Sequence, residues 1–225
     1  MEYVFHFGAV FAAFDRIAAG AWLTLTLSVS AMVFGLVIGF SCAVLAVFGG
    51  RIAAGLVRVY VEAIRNTPFL IQLFLIYFGL PSLGVTLEPV QAALIGMSVN
   101  CGAYATEIIR AGVLAIPHGQ IEAARALALR TPQIVRHVVL RPALRVAYPA
   151  LTSQFVLVML GSSVVSTISA EELTATGHVL ETETFRPFEV YMVVTAIYVA
   201  MAFGLKALFA GLHRSFLAAD EGGRR

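Results

Sequence analysis

Charged residues divide this chain into long apolar runs. The first run lies between Arg16 and Arg51, and four more follow at residues 66–87, 89–106, 146–170 and 190–205. A helix needs about 20 residues to cross the hydrocarbon core of a bilayer, which is roughly 30 Å thick. The pattern therefore predicts about five membrane-spanning helices, at residues 19–48, 55–80, 88–114, 145–171 and 188–212.

The composition supports this interpretation and excludes several classes of soluble protein. Of the 225 residues, 60% are hydrophobic and only 12% are charged, and the mean hydropathy is +0.89. Soluble domains are about half apolar and about a quarter charged. The sequence thus excludes a soluble enzyme, a nucleic-acid-binding domain and a disordered regulator. It predicts an all-α polytopic membrane protein in which residues 1–225 form a single transmembrane domain.

The basic residues predict the orientation, because Lys and Arg collect on the cytoplasmic side of a membrane. With the N-terminus outside, only Arg16 and Arg186 lie on the outer side, and Arg65 lies within a span. Residues 220–225 form a short solvated tail on the inner side. The prediction is N-out and C-in, with these basic residues inside: Arg51, Arg58, Arg110, Arg125, Arg130, Arg136, Arg141, Arg145, Lys206, Arg214, Arg224 and Arg225.

One inner connection is long, the loop at residues 115–144 between the third and fourth predicted spans. Pro117 and Gly119 end the incoming helix, and strong helix formers then fill residues 120–129 before Thr131-Pro132 ends that helix. The apolar side chains of this segment are predicted to share one face, which consists of Ile121, Ala124 and Leu127 or Ala128. Such a short amphipathic helix suits a groove in another protein or the surface of the inner leaflet, and spacing alone leaves both open.

This loop resembles the EAA loop of permease subunits of ATP-binding-cassette importers, which begins Glu-Ala-Ala and has a Gly four positions later. Glu122, Ala123 and Ala124 match the opening, and Ala128 stands where the family usually has Gly. The resemblance implies that this helix docks in a cleft of an ATPase and transmits its closure to the spans. The implied ATPase-coupling residues are Gly119, Glu122, Ala123, Ala124, Arg125 and Ala128.

Other segments narrow the resemblance. Residues 65–73 (RNTPFLIQL), 102–112 (GAYATEIIRAG) and 116–122 (IPHGQIE) are similar to the polar-amino-acid branch of these permeases, which serves His, Arg, Gln, Glu, cystine and opines. The resemblance implies the type I importer permease fold in a bacterial inner membrane. It also implies a dimer of ATPase subunits, a second permease subunit that is identical or homologous, a soluble substrate-binding protein, and a small solute as cargo.

Charged side chains inside the predicted spans are candidates for the translocation path, since such residues usually face a bundle interior or water. Glu62 and Arg65 fall on one stripe of the second span, before a helix break predicted at Thr67-Pro68. Glu107 and Arg110 form an i,i+3 pair near the inner end of the third span. Either a polar lining or gate beside the path, or self-neutralised pairs that stabilise helix packing, would produce this pattern.

Uncharged polar residues in the spans extend this set. They could bind the ammonium or carboxylate of a solute, or hold neighbouring helices together. Four glycines are interpreted as positions of close helix approach or bending: Gly35, Gly39, Gly79 and Gly161. The candidates for the path are Glu62, Arg65, Gln72, Asn100, Tyr104, Glu107, Ser162, Ser163 and Ser166.

Two rival functions fit the sequence less well. An ion-driven secondary transporter predicts internal repeats with paired interrupted helices, and neither is visible. A membrane scaffold without a path would have little use for buried charges or a docking helix. Gly49-Gly50-Arg51 lacks the Lys and the Ser or Thr of a phosphate-binding loop. ATP hydrolysis is therefore assigned to a partner, and no catalytic residue, cofactor, metal site or nucleic-acid partner is predicted.

Overall fold

The computed structural model describes residues 3–216. Glu2, Arg224, Arg225 and the predicted tail at 220–225 lie outside the described residues. Within residues 3–216 the secondary structure is helical and includes no strand, which confirms the all-α prediction. Four of these helices are long and apolar enough to cross a membrane, or five when one bent pair counts as a span. This agrees with the predicted number of about five.

The chain begins with a short helix, α1 (Gly8–Ala12), and the long helix α2 (Phe14–Phe48). At 35 residues, α2 is about 52 Å long and starts five residues before the predicted span. Asp15 and Arg16 lie in its first turn, and the Arg16 guanidinium contacts the carboxylate of Glu183 at 2.7 Å. The helix therefore continues through charged residues that the charge-free criterion had excluded.

The second predicted span, residues 55–80, consists of two segments that meet at 105°. The first is α3 (Gly50–Arg65), and the second starts with α4 (Phe69–Phe74) and continues to Leu83 through a π turn and a 3-10 turn. Pro68 lacks a backbone N–H and disfavours helical geometry in the residue before it. The predicted break at Thr67-Pro68 is thus confirmed, and the two segments together form the bent second span.

Helix α5 (Pro89–Leu114) is the central helix of the bundle and packs closely against α2. A Cβ atom built on Gly35 would lie 2.6 Å from the Sγ of Cys101, and one on Gly39 would lie 2.5 Å from the Cβ of Ala105. These distances are shorter than van der Waals contact. Both glycines are therefore confirmed as positions of close helix approach. Gly79 and Gly161 instead face open space where the helical geometry changes.

The predicted inner loop at 115–144 is largely helical. Helix α6 (His118–Ala126) follows α5. The chain from Thr131 to Ile168 then forms one continuous 38-residue helical rod, so the fourth span begins well before residue 145. Pro132 occupies the first turn of this rod, where a missing N–H costs nothing, so Thr131-Pro132 begins the rod. The preceding helix, which the sequence analysis expected Thr131-Pro132 to end, already ends at Ala126. Within the rod, α7 (Thr131–Ile134) and α8 (Leu140–Gly161) are joined by a π turn, and a 3-10 segment ends it.

The last two helices are α9 (Leu173–Thr184), which the sequence did not predict, and α10 (Pro187–Phe216). Helix α9 precedes the last span on the outer side and packs against α2 and α10. The carboxylate of Glu172 caps α9 by accepting the backbone N–H groups of Thr174 and Ala175, at 2.8 and 3.0 Å. It also accepts the hydroxyls of Thr24 on α2 and Tyr198 on α10. This buried carboxylate therefore joins three helices.

A second buried carboxylate fastens the N-terminal segment to the start of α10. Glu189 accepts hydrogen bonds from the Tyr3 hydroxyl, the His6 backbone N–H and the Arg186 guanidinium. Both Glu172 and Glu189 are 0% exposed. An apolar cluster lies beside them at the outer end, and it consists of Val10, Ile17, Leu173, Leu180, Val190 and Val194. The outer end is thus packed and hydrogen-bonded by residues of this chain.

Candidate translocation path and coupling helix

A charged cavity of about 300 Å³ lies between α2, α3 and α5. The stripe of α3 that carries Glu62 and Arg65 faces Glu107 and Arg110 of α5 across it. The lining contains three arginines and two glutamates and is therefore net positive. Its residues are Ala46, Ala54, Val57, Arg58, Val61, Glu62, Arg65, Glu107 and Arg110.

Glu107 is the centre of the ionic contacts in this cavity. Its two carboxylate oxygens accept bidentate hydrogen bonds from Arg110 at 2.9 and 2.7 Å. The guanidinium of Arg65 lies 3.9 Å from the same carboxylate and 5.3 Å from the centre of the Tyr104 ring. One carboxylate thus links an arginine of α3 to one of α5. The group both pairs opposite charges and lines a cavity, so the two interpretations of the sequence are compatible.

An amide pair bridges the break between α3 and α4. The Nε2 of Gln72 donates to the backbone oxygens of Ile64 and Thr67 at 2.7 and 3.0 Å, and to the Thr67 hydroxyl at 2.9 Å. Those carbonyls belong to the stretch interrupted by Pro68, so the Gln72 side chain replaces helical hydrogen bonds. The Oε1 of Gln72 accepts from the Nδ2 of Asn100 at 3.0 Å. Two predicted path residues on different elements are therefore in direct contact.

A second cavity of about 240 Å³ opens beside this amide pair. Asn100 and Tyr104 line it, and the contact between Arg65 and the Tyr104 ring connects it with the charged cavity. Gln154 of α8 also lines it, although the sequence analysis missed this residue. The available signal was that Gln154 is the only amide side chain in the fourth predicted span. The lining residues are Phe69, Met97, Asn100, Tyr104, Gln154, Leu157, Val158 and Gly161.

The predicted serines are not in the lining of either cavity. They belong to the 3-10 segment after α8, and each hydroxyl donates to a backbone carbonyl three residues earlier. Ser162 donates to Met159 at 2.6 Å, and Ser163 donates to Leu160 at 2.9 Å. Ser166 donates to the Ser163 carbonyl at 2.7 Å. These hydroxyls are therefore bonded within their own segment, although that segment packs against α4 and α5.

Helix α6 protrudes from the bundle at its inner end. Glu122, Ala123 and Arg125 are exposed, as is Gly119 near the start of the helix. Only Ala124 is buried, and Ile121 packs partly against the core beside it. Most of α6 therefore presents its surface outward.

The turn after α6 has the tight geometry that glycine usually supplies. Ala128 has a φ of 56°, in the left-handed region. Its N–H donates to the carbonyl of Arg125 at 2.9 Å, and the N–H of Leu129 donates to that of Ala124 at 3.2 Å. This pattern closes the helix as a Schellman-type cap does. The helix therefore ends at Ala126, earlier than the predicted residue 129.

One prediction about the apolar face of α6 is wrong. The sequence analysis placed Leu127 or Ala128 on the face of Ile121 and Ala124, but the Leu127 side chain is 76% exposed. The reason is that the chain leaves helical geometry at Leu127, which changes the direction of the side chains that follow. The exposed Leu127 adds apolar surface to the tip of the protruding segment.

Comparison with known proteins identifies relatives along most of the chain. The family described as "Binding-protein-dependent transport system inner membrane component" matches residues 35–217. An octopine transport system permease protein of Rhizobium meliloti is 36% identical over 206 residues, which cover 88% of this chain and 84% of that protein. A glutamine transport system permease protein of Escherichia coli is 34% identical over 212 residues, with 93% and 97% covered.

A solved structure is similar over nearly the whole chain. It is a crystal structure of an amino acid ABC transporter with histidines, and it superposes with a TM-score of 0.85 at 31% sequence identity. The similarity covers 95% of this chain and 100% of the other. The bent second span and the protruding α6 thus occur within a fold shared with a transporter of known structure.

Proposed function

This chain belongs to the family of binding-protein-dependent transport system inner membrane components, and we propose that it imports polar amino acids or opines across a bacterial inner membrane. It is a permease subunit of an ATP-binding-cassette importer. The proposed solute class rests on relatives whose names specify octopine and glutamine, both small polar molecules that carry ammonium and carboxylate groups. The amide and arginine side chains of the two cavities suit such groups.

Permeases of this family work with ATPase subunits and with a substrate-binding protein. We propose a complete assembly of two ATPase subunits, this chain, a second permease that is identical or homologous, and a soluble binding protein outside the membrane. Four or five spans can line only part of a solute path, which is why a second permease is required. ATP hydrolysis is assigned to the ATPase subunits, since the chain has no phosphate-binding loop motif.

The observation that carries the mechanism is the position of α6 between two path-lining helices. Only three residues separate α6 from α5, and four separate it from the rod that starts at Thr131. We propose that residues 115–144 form the coupling segment and that α6 docks in a cleft of the ATPase. Closure of the ATPase then displaces α6 and both of its neighbours. A partner that bound both conformations equally would shift nothing, so the contacts of α6 must differ between states.

Solute contacts are proposed for the amide cavity and its charged neighbour. Asn100, Tyr104 and Gln72 offer neutral donors and acceptors, and α5 carries the first two toward the cavity. Arg65, Glu62 and Glu107 form the next polar surface along the bundle. Ser162, Ser163 and Ser166 are given a packing role beside the path, since their hydroxyls are bonded to their own backbone.

The test is ATP-dependent uptake by the complete transporter in proteoliposomes, with its binding protein and a polar amino acid. In the Glu122→Ala variant we expect uptake to fall roughly tenfold or more, the consequence of losing about 1.4 kcal/mol of docking free energy. Glu171→Ala is the matched control, because Glu171 is an exposed acid on the outer side. Undiminished uptake in Glu122→Ala would contradict the coupling role, and uptake driven by an ion gradient without ATP would contradict the importer class.

A further inference from the structure

We propose that an anionic phospholipid of the inner leaflet binds in a basic cavity between α8 and α10. The cavity has a volume of about 450 Å³ and is separate from the two cavities of the path. Lys206 and Arg214 of α10 form its cationic side, with the His213 ring beside them, and Thr152 and Ser153 of α8 form its hydroxyl side. Neither the coupling segment nor any predicted path residue contributes to it.

The charge of this cavity is of one sign. Of the described residues that line it, none is an aspartate or a glutamate. The charged cavity of the path differs in this respect, because two glutamates oppose its arginines. Lys206 is also the only lysine among the 15 basic residues of the chain. An ammonium and a guanidinium around one concave surface match a phosphate group, which accepts hydrogen bonds from both.

The cavity lies at the depth of lipid headgroups. Helix α10 begins on the outer side at Pro187, and 19 residues further on Lys206 lies about 28 Å along its axis. That length is close to the thickness of the hydrocarbon core, so Lys206 reaches its inner boundary. His213 and Arg214 lie two turns beyond. Tyr148 lies at the same level, since its hydroxyl donates to the carbonyl of Phe209 at 2.6 Å, and tyrosine is enriched at such interfaces.

An apolar cavity of about 320 Å³ adjoins the basic one, and Tyr148, Thr152 and Phe209 line both. Its other walls are Leu36, Leu144, Leu151, Phe155 and Leu212. Along α8 the distance from Leu144 to Phe155 is about 16 Å, directed toward the middle of the membrane. A cationic cavity and an apolar cavity that share a wall fit a molecule with a phosphate head and an acyl chain.

This pairing favours a lipid over a soluble anion, which would use only the basic cavity. Clusters of basic residues between spans on the cytoplasmic side are suited to the headgroups of anionic lipids, because that leaflet carries them. In the N-out, C-in orientation the site faces that leaflet. The proposal concerns lipid binding by this chain and does not depend on the identity of the transported solute.

Lipid retention measures the site directly. The complete transporter is equilibrated with vesicles of phosphatidylcholine and phosphatidylglycerol, purified, and its bound lipids are counted by native mass spectrometry. We expect preferential retention of phosphatidylglycerol and a roughly 30-fold weaker preference in the double variant Lys206→Gln/Arg214→Gln. Each basic residue near the membrane surface contributes about 1 kcal/mol to the binding of an anionic lipid, and the loss of two corresponds to this factor. The control Arg51→Gln/Arg136→Gln removes two exposed inner-side charges elsewhere and should retain the lipid.

Four further outcomes test the proposed site. The swap Lys206→Arg/Arg214→Lys preserves both charges, so its lipid retention should be normal. A loss of retention in this variant would show that charge does not determine binding and would overturn the charge argument. Leu212→Trp fills the apolar cavity and should lower phosphatidylglycerol retention as well. Equal retention by the double variant and the wild type would overturn the site. Binding of glycerol phosphate without phosphatidylglycerol would show a soluble-anion site and overturn the lipid assignment.

Discussion

At the outer end of the bundle two fully buried carboxylates each receive hydrogen bonds from several elements, whereas at the inner end α6 buries only Ala124. Glu172 connects α2, α9 and α10, and Glu189 connects the N-terminal segment to α10. The outer end is therefore stabilised by contacts within this chain. The inner end exposes its helix and Leu127, which form the surface that we propose docks on an ATPase subunit. The contrast teaches that contacts within this chain stabilise its outer end and leave α6 largely exposed.

The largest expected effect comes from removing the buried carboxylate of Glu172 at the outer end. In Glu172→Leu the two N–H groups at the start of α9 lose their acceptor, and the hydroxyls of Thr24 and Tyr198 each lose one of two partners. Each buried unsatisfied group costs about 1 to 3 kcal/mol, so we expect a loss of about 4 kcal/mol in unfolding free energy. The measurement is thermal unfolding in detergent, followed with a thiol-reactive dye, since Cys101 is buried and Cys42 half-buried.

Glu171→Leu is the control for this variant, because the neighbouring Glu171 is exposed. Surface substitutions of this kind usually change stability by less than about 0.5 kcal/mol. If the two variants unfolded at the same temperature, Glu172 would not be a structural junction and the contrast between the two ends would fail.

A pair of glycine substitutions tests the same contrast between the two ends, with an expected change in stability of intermediate size. A Cβ on Gly20 would lie 2.5 Å from the Thr176 hydroxyl and 3.1 Å from the Leu173 Cα, so Gly20→Ala forces α2 and α9 apart. We expect a destabilisation of about 1 to 2 kcal/mol. A Cβ on Gly119 of α6 meets nothing within 4 Å, so Gly119→Ala should be neutral or stabilise by up to about 1 kcal/mol.

Thermal unfolding of both alanine variants provides the measurement. The predicted order is Gly20→Ala below the wild type and Gly119→Ala at or above it. The opposite order would mean that α6 is packed in the free subunit and that the contact between α2 and α9 tolerates a Cβ atom on Gly20.

The smallest expected effect concerns the exposed ion pair of Arg16 and Glu183, which joins α2 to α9. The hydrogen bond from Arg16 holds the pKa of Glu183 below its ordinary value of 4.5. A lowered folded-state pKa contributes stability above the ordinary pKa, and that contribution is lost as the pH falls through the folded-state pKa. Both side chains are about half exposed, so solvent screening keeps the contribution small.

The corresponding measurement is the unfolding temperature of wild type and Glu183→Gln between pH 7 and pH 3. We expect the wild type to be slightly more stable at pH 7 and the difference to vanish at the acidic end. A difference that grew as the pH fell would contradict the assigned sign.

The spans themselves could be predicted because a long apolar run without formal charges has its lowest free energy in the hydrocarbon core of the membrane. The same criterion failed where charges are paired within the fold, as at Arg16, and where helices leave the membrane, as in the rod from Thr131. It also gave no sign of α9, whose sequence mixes glutamates, threonines and apolar residues over Leu173–Thr184. That helix exists because tertiary contacts with α2 and α10 stabilise it.

For the candidate site, the sequence identified which polar residues are candidates but not which of them contact each other. Gln72 and Asn100 were both recognisable as polar residues in apolar spans, yet their contact depends on a fold that brings together residues 28 positions apart. The break at Pro68 was predictable from the chemistry of proline. Its angle of 105° was not, because packing of α4 against α5 determines it. The burial of Glu172 could not be predicted for a related reason: two of its four hydrogen-bond partners, Thr24 and Tyr198, are known only from the fold.

The uninterrupted rod from Thr131 to Ile168 has a mechanical consequence. It is about 57 Å long and contains no flexible linker between the inner end of the molecule and the outer leaflet. A displacement of its inner end must therefore be transmitted as rotation or tilt of a stiff helix. The rod can bend at the π turn of Val135–Val139, at Pro149, and where the 3-10 segment Ser162–Ile168 begins.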